Sequence, residues 1–420
     1  MDTKKLYHKL LGLKGPWFVD RVKIDEAGER IDVYVKHHNP VRAACPECGT
    51  FYTLYDHAPE REFQHLKTCQ MNTYVHMQIP RVECPTHGVK QIASDLGECN
   101  SHTTFAFESF VLTLAEECSI AATARLAGLG WDAAFGCVER AVARGFSRKP
   151  KKIPERIAVD EKSFAKGHKY ETLVSDHATG NVEFVADGNT QESLETYYRQ
   201  FSEQDRSTVA VVTLDMWDPF IAATKAYIPD AATKIVFDRF HIMQTVTKAV
   251  DNTRKDENKR LQEQGNDILK KTKYLWLWSP ENFPRHRKPE FQELQLADLD
   301  VSRAWGIKEN LRHLWDYYSE TWARKFFKRW YFWARHSRLE HMKKAAQTIK
   351  DHFENVVTYV HHRITNAVAE SLNSRIEKVK RMACGYRNRG HYKTAIYFHC
   401  GGLDMLPVPP VHPQIMWKPA

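Results

Sequence analysis

Long apolar runs, an export signal, acidic charge and cysteine are all scarce in this 420-residue sequence. No apolar stretch approaches the roughly 20 residues that a helix needs to cross a bilayer. The opening Met1-Asp2-Thr3-Lys4-Lys5 lacks the apolar segment and small-residue cleavage site of a signal peptide. Neither membrane insertion nor export is expected, and the chain reads as soluble and cytoplasmic. Against 61 Lys and Arg stand only 52 Asp and Glu, a formal net charge of +9 with the 21 histidines neutral. That balance favours polyanions as partners. Nine cysteines is an odd number, and in a reducing compartment the CPEC pair Cys45 and Cys48 points to metal more than to a disulfide framework. What is present is ordinary for a folded protein: 42% hydrophobic and 27% charged residues exclude wholesale disorder, and the length allows two to three domains.

Residues 1–98 read as β-rich. Val19 to Ile24 and Ile31 to Lys36 alternate across a DEAGER turn as a hairpin does, and Thr73 to Ile79 alternates like a further strand. CPECG at Cys45 to Gly49 is answered by CPTHG at Cys84 to Gly88. Two knuckles of matching shape offer Cys45, Cys48, Cys84 and His87 to one structural Zn²⁺, whose tetrahedral S/N preference suits a small β-module with few core residues. Cys69, Cys99, His57 and His65 are reserve ligands. Residues 99–146 are helical in pattern: one helix ends near Cys118, a second is capped by Ser119 and stopped by Gly128, and a third opens at Gly130-Trp131-Asp132 and runs to about Arg144. This is either a helix-turn-helix, with Arg140 and Arg144 on the helix that meets DNA, or a helical spacer. The segment 147–155 follows as a basic linker in which Arg148, Lys149, Lys151 and Lys152 could lie along phosphates.

Strand and helix signals then alternate. Arg156 to Val159, Glu171 to Asp176 and Val182 to Ala186 read as strands, Ser193 to Phe201 as a helix, and Thr208 to Leu214 as a strand buried on both faces. A helix at Pro219 to Tyr227 and a strand at Lys234 to Phe237 complete a mixed sheet of the ribonuclease H type. Asp160 and Asp215 are expected at strand ends, where open α/β sheets collect ligands. Glu161 should point to the opposite face from Asp160, and Asp218 before Pro219 suits a helix cap. A third carboxylate, Glu370, lies away from the apolar stripe Leu372, Ile376 and Val379 of a helix, with Asn366 and Asn373 on its own side to orient it or contact substrate. Three carboxylates could share two Mg²⁺ ions, or Mn²⁺, and so neutralise an attacked phosphate and activate a water or 3′-hydroxyl. The basic run Arg375, Lys378, Lys380, Arg381, Arg387 and Arg389 follows, to contact DNA or to form a solvated helix face.

VDEKS, LDMW, VFDRFH and TNAVAESLNSRIEKVKRMACGYRN together resemble the DDE transposases of bacterial insertion sequences, most closely the ISL3 family. The resemblance covers nearly the whole chain. It implies an α+β, mixed α/β protein: a ribonuclease H-like catalytic core with a large helical insertion, preceded by a zinc ribbon and a helix-turn-helix. Asp160, Asp215 and Glu370 occupy the positions of the family's acidic triad, and Asp238 and His241 match a further motif, with a supporting part in seating the strand and helix or in touching substrate. The expected segments are a core at 156–245, an insertion at 246–360, a second core part at 361–405 with Glu370, and a Pro-rich tail at 406–420. Implied partners are element ends and target DNA in the bacterial nucleoid, with a homodimer or larger assembly to pair two ends. A catalytically silent DNA-binding regulator and a host nuclease of the same fold are the rival readings.

Overall fold

The computed structural model describes residues 2–39, 41–98, 100–165, 169–364, 367–409 and 415–416. The chain divides into two compact units, one of residues 1–149, 381–385 and 403–420, the other of 150–380 and 386–402.

In the first unit, the expected hairpin pairs Trp17–Asp25 with Arg30–His37, Ile24 facing Ile31. Ile31, Val33 and Val35 alternate into the core, as a half-buried strand requires. Met71–Met77 joins parallel to Arg30–His37, and Arg61–Thr68 closes this four-stranded sheet. A second sheet runs Ile415–Met416, Arg42–Ala44, Phe51–His57, Pro80–Cys84, Gly88–Gln91. Its edge is thus supplied from the Pro-rich tail, whose residues 406–409 carry neither helix nor strand. Three helices follow: Phe105–Glu117 behind Thr104, Ile120–Ala127 behind Ser119, and Trp131–Arg148. The Ser119 hydroxyl accepts the Ala122 N–H, and Gly128 takes φ +70°, the left-handed cap that glycine adopts without a Cβ clash. The third helix continues four residues past Arg144, so Ser147 and Arg148 are helical rather than linker.

The second unit is built on a five-stranded sheet in the order Val182–Asp187, Lys169–Asp176, Arg156–Ala165, Val211–Leu214, Ile235–Phe237. Counted along the chain this is 3-2-1-4-5. The first three strands are antiparallel and the last two run parallel to Arg156–Ala165. Every residue of Val211–Leu214 is buried, which is why that run is apolar without alternation. One expectation is corrected here. The first strand spans ten residues, not four, so Asp160 lies in mid-strand opposite Leu173 instead of at a strand end. Charged residues are depleted in strands, and the Asp-Glu-Lys run hides a continuation that pairing with Lys169–Asp176 sustains.

The helix Arg239–Glu263 crosses from the sheet into the helical segment without a break. That segment has no core separate from the sheet's: one apolar cluster runs from Ile153 through the strands to Val360. Trp276, Trp315 and Trp330 are buried in it, the Trp330 indole N–H donating to the Ile307 carbonyl at 2.9 Å. Trp322 and Trp333 stay exposed.

Candidate active site and zinc centre

The sheet delivers carboxylates from three places. Asp160 projects from the middle of the central strand, Asp215 stands one residue after Val211–Leu214, and Glu370 sits in the first turn of the helix Ala367–Met382. That helix buries Leu372, Ile376 and Val379, the first two against Phe164, Leu173, Val182 and Val185 of the sheet, and leaves Glu370 exposed. All three carboxylates line one cavity of ≈ 580 Å³, together with Glu161 and Asp238. Their oxygens are spread around its wall: among the described residues, the acidic or ligand-type clusters whose atoms all fall within 4.8 Å of one another are Cys45-Cys48-Cys84-His87 and Asp32-Glu62-His76. A Mg²⁺ ion here would be held by one or two of these carboxylates and would fill its shell with water and substrate oxygens.

Hydrogen bonding fixes Asp160. Its Oδ2 accepts from the Asn373 amide at 2.9 Å and faces Lys162 Nζ at 3.1 Å, while Oδ1 accepts the Glu161 N–H at 2.8 Å. Asn373 therefore orients Asp160 and not Glu370, contrary to the expectation from helix spacing. Asn366 lies outside the described residues. Asp215 is the opposite case: its Oδ1 is buried with no hydrogen-bond partner among the described residues. Burial pushes its carboxyl up to about 6; His241 opposes the rise, and the charges of Glu161 and Asp160 add to it. An orphaned, acid-crowded oxygen of this kind fits a cation ligand.

Asp238 caps the helix Arg239–Glu263, accepting the Phe240 N–H at 2.8 Å, and His241 Nε2 stands 3.7 Å from its carboxylate. Burial raises the Asp238 carboxyl, the Phe240 N–H and His241 counter it, and Asp160 and Glu370 raise it further. Two residues that sequence reasoning set aside or missed belong here. Glu161, expected to face away, reaches the cavity rim with Oε2 held by the Asn189 amide at 2.7 Å. Lys162 shares the strand face of Asp160, a relation that alternation at i+2 already contains. Asp218 occupies the first helical position of Asp218–Tyr227, behind Trp217, and does not act as its cap.

In the other unit, Cys45, Cys48, Cys84 and His87 converge, with Cys48 Sγ–Cys84 Sγ at 3.8 Å, Cys84 Sγ–His87 Nδ1 at 3.4 Å and Cys45 Sγ–His87 Nδ1 at 3.7 Å. Gly49 and Gly88 take φ +70° and +69° at the ends of the two knuckles. Burial raises the Cys84 thiol, yet the N–H groups of Thr86 and His87 and the Tyr52 hydroxyl bring it down to about 6, which favours the thiolate that zinc binds. The reserve ligands are elsewhere: His57 Nε2 is 2.7 Å from His37, His65 meets the Thr104 hydroxyl, and Cys69 is a free thiol. Cys99 lies outside the described residues.

This arrangement has counterparts among known proteins. A DDE transposase model of the ISL3 family, described as "Transposase", matches residues 157–396, over half of the chain and including every carboxylate of the cavity. The chain belongs to the ISL3 family of transposases. A second model, the zinc-finger of transposase IS204/IS1001/IS1096/IS1165, matches residues 42–87, which hold all four clustered ligands. The chain is 25% identical to the transposase for insertion sequence element IS1557 of Mycobacterium tuberculosis, covering 99% of this chain and all of that one. It is 26% identical to the transposase for IS1001 of Bordetella parapertussis, over 93% and 97% of the two.

The basic residues of this ISL3 member divide in two. Arg144 is inside, bonded to Glu98 Oε1 at 2.7 Å and Glu108 Oε1 at 2.6 Å, and Arg140 Nη2 meets Glu108 Oε2 at 2.7 Å. Their expected place on a DNA-facing surface is corrected: Glu108 is buried and needs both guanidiniums. Arg148 holds the Leu406 carbonyl at 2.8 Å and the Asp404 carboxylate at 3.2 Å. Arg389 is likewise turned inward, to Glu171 Oε1 at 3.3 Å and Asp187 Oδ1 at 3.5 Å. Arg375 donates to the Gly180 carbonyl at 2.9 Å and Lys380 to the Ser163 carbonyl at 2.8 Å. Lys151, Lys152, Lys378, Arg381 and Arg387 are exposed, and Lys149 is half-buried. Among the described residues no helix is long and apolar enough to cross a membrane.

Proposed function

We propose that the chain is a DNA transposase that binds the terminal inverted repeats of its insertion sequence and carries out Mg²⁺-dependent phosphodiester hydrolysis and strand transfer, with Asp160, Asp215 and Glu370 as the acidic triad. The observation that carries this reading is convergence: Glu370 is 155 positions beyond Asp215 in the chain, yet both line one cavity with Asp160. The 3-2-1-4-5 mixed sheet supports a ribonuclease H-like core, and Ile120–Ala127, the Gly128 turn and Trp131–Arg148 support a helix-turn-helix.

Five carboxylates line the cavity, with Lys162 and His241 as the basic groups among them. A phosphodiester cannot enter such a concentration of like charge unless cations intervene. Mg²⁺ held by Asp160, Asp215 and Glu370 would neutralise the phosphate and activate the nucleophile. The chain's own groups supply position: Asn373 and Lys162 hold Asp160, the strand end holds Asp215, and Asp238 with His241 starts the adjoining helix. In hydrolysis, water oxygen bonds to phosphorus as the P–O3′ bond breaks, freeing the element's 3′-hydroxyl. In transfer, that hydroxyl bonds to a target phosphorus and the target's own 3′-oxygen leaves with a proton. No covalent enzyme intermediate is required. The exposed cations near the helix Ala367–Met382 and after residue 150 would follow the DNA backbone, and two ends call for a dimer or larger assembly in the bacterial cytoplasm.

Incubation with labelled element ends, Mg²⁺ and a target plasmid tests this. Joined products are expected from the native protein, and Asp215→Asn is expected to keep DNA binding while losing both cleavage and joining by at least about a hundredfold. Nicking without joining would identify a nuclease, binding alone a silent regulator, and cleavage retained by Asp215→Asn would refute the assigned triad.

A further inference from the structure

A second cavity of ≈ 350 Å³ adjoins the carboxylates and differs from them in chemistry. Thr213, Asp238, Phe240 and Glu370 belong to both; the remainder of the second is Val236, Phe237, Met243, Tyr359 and Ile364, apolar or aromatic, with Arg239 as its one added charge. Phe240 is the anomaly. It stands in the first turn of a 25-residue helix with 56% of its surface exposed, although its neighbours offer an apolar wall. Its backbone N–H is fixed by Asp238 Oδ1 at 2.8 Å, and its ring meets His241 edge-on with centroids 5.4 Å apart. Arg239, beside it, is exposed and lies with its guanidinium 5.1 Å from the Trp315 ring.

We propose that this apolar cavity receives an unstacked nucleobase of the DNA end, from the nucleotide next to the phosphate held at the carboxylates. The inference rests on the proposed function. The shared residues make it specific: Glu370 and Asp238 line both cavities, so a phosphate seated at the carboxylates would have its attached nucleoside beside the apolar cavity. The volume lies at the small end of the roughly 300–1,000 Å³ of small-ligand sites, enough for a planar ring but not for duplex DNA. Phe240 and Tyr359 supply aromatic surface for stacking, and Met243 and Ile364 adaptable apolar packing. Arg239 stands where a flanking phosphate would pass. Stacking on an aromatic ring is tolerant of sequence because every base has a π-face, so the pocket fixes position without dictating which base enters. Extraction of one nucleotide from the stack would also bend the strand away from its partner and bring the scissile bond to the carboxylates.

The test uses element-end duplexes carrying 2-aminopurine at each nucleotide flanking the cleavage position, bound by the full chain with Ca²⁺ in place of Mg²⁺. Fluorescence is expected to rise severalfold at one such position only. Phe240→Ala is expected to lose that rise and to cleave intact ends about tenfold more slowly in Mg²⁺, while Phe240→Tyr retains both. Ends made abasic at the same position no longer need the pocket, so Phe240→Ala should cut them within about threefold of the native rate. A signal unchanged at every position overturns the inference, as does an equal defect of Phe240→Ala on abasic and intact ends, which marks a purely structural ring. Failure of the native protein to cleave any end in Mg²⁺ refutes the transposase reading itself; cleavage with no fluorescence change refutes only the pocket.

Discussion

At the scale of single residues, the same side-chain type serves opposite ends according to what surrounds it. Arg144 is 9% exposed and shared between Glu98 and Glu108. Arg144→Ala leaves the buried Glu108 carboxylate with Arg140 as its remaining guanidinium, and about 1–3 kcal/mol of stability should be lost. Urea or thermal denaturation checks this, and an Arg144→Ala protein that melts normally but no longer distinguishes element ends would return the residue to the DNA surface. His65 provides a pH dependence. Burial lowers its pKa from 6.5 to about 4, and it bonds the Thr104 hydroxyl at 2.8 Å. Between these values the unfolded chain holds the proton that the folded one refuses. The stabilisation is therefore complete above pH 6.5 and declines as pH falls toward 4, by about 3 kcal/mol at most. His65→Gln should flatten that part of the stability profile; an unchanged profile would show that His65 is not its source.

At the scale of elements, what could be read in the sequence followed local pattern, and what could not depended on partners remote in the chain. The hairpin at 17–37, the Ser119 cap and the Gly128 stop are local, and the structure has them within a few residues. So is the pairing of two zinc knuckles, since each carries its own Gly-terminated turn. The strand through Asp160 was legible only in its apolar first half, because its polar half is held by Lys169–Asp176. Whether Arg140 meets DNA or a glutamate is decided by Glu108, 32 residues away, and spacing on a helix contains no trace of it. The edge strand Ile415–Met416 beside Arg42–Ala44 is a still longer-range pairing. The zinc knuckles yield a prediction of their own. Their sheet shares its apolar cluster with the hairpin sheet, so stripping zinc with a chelator, or Cys84→Ser, should loosen the two knuckles without unfolding the unit, and weaken binding to element ends. Circular dichroism with a DNA-binding titration tests both, and end affinity unchanged after verified zinc removal would refute the ribbon's part in recognition.

At the scale of the whole molecule, a basic chain encloses an acidic cavity. The formal charge is +9, yet Asp160, Glu161, Asp215, Asp238 and Glu370 crowd one site. On the proposed function, the first property would draw in DNA, and the second would prevent chemistry on it until divalent ions are in place. The helical segment between Asp238 and Glu370 shares the sheet's apolar cluster, so the distance along the chain is bridged by a continuous core that can hold the carboxylates in register. The most direct measurement is the number of Mn²⁺ ions bound by the protein on uncleaved end DNA, counted by electron paramagnetic resonance at saturating metal. The account predicts two ions on the native protein and loss of at least one in each of Asp160→Asn, Asp215→Asn and Glu370→Gln, with DNA affinity retained. An ion count that none of the three substitutions lowers would contradict it.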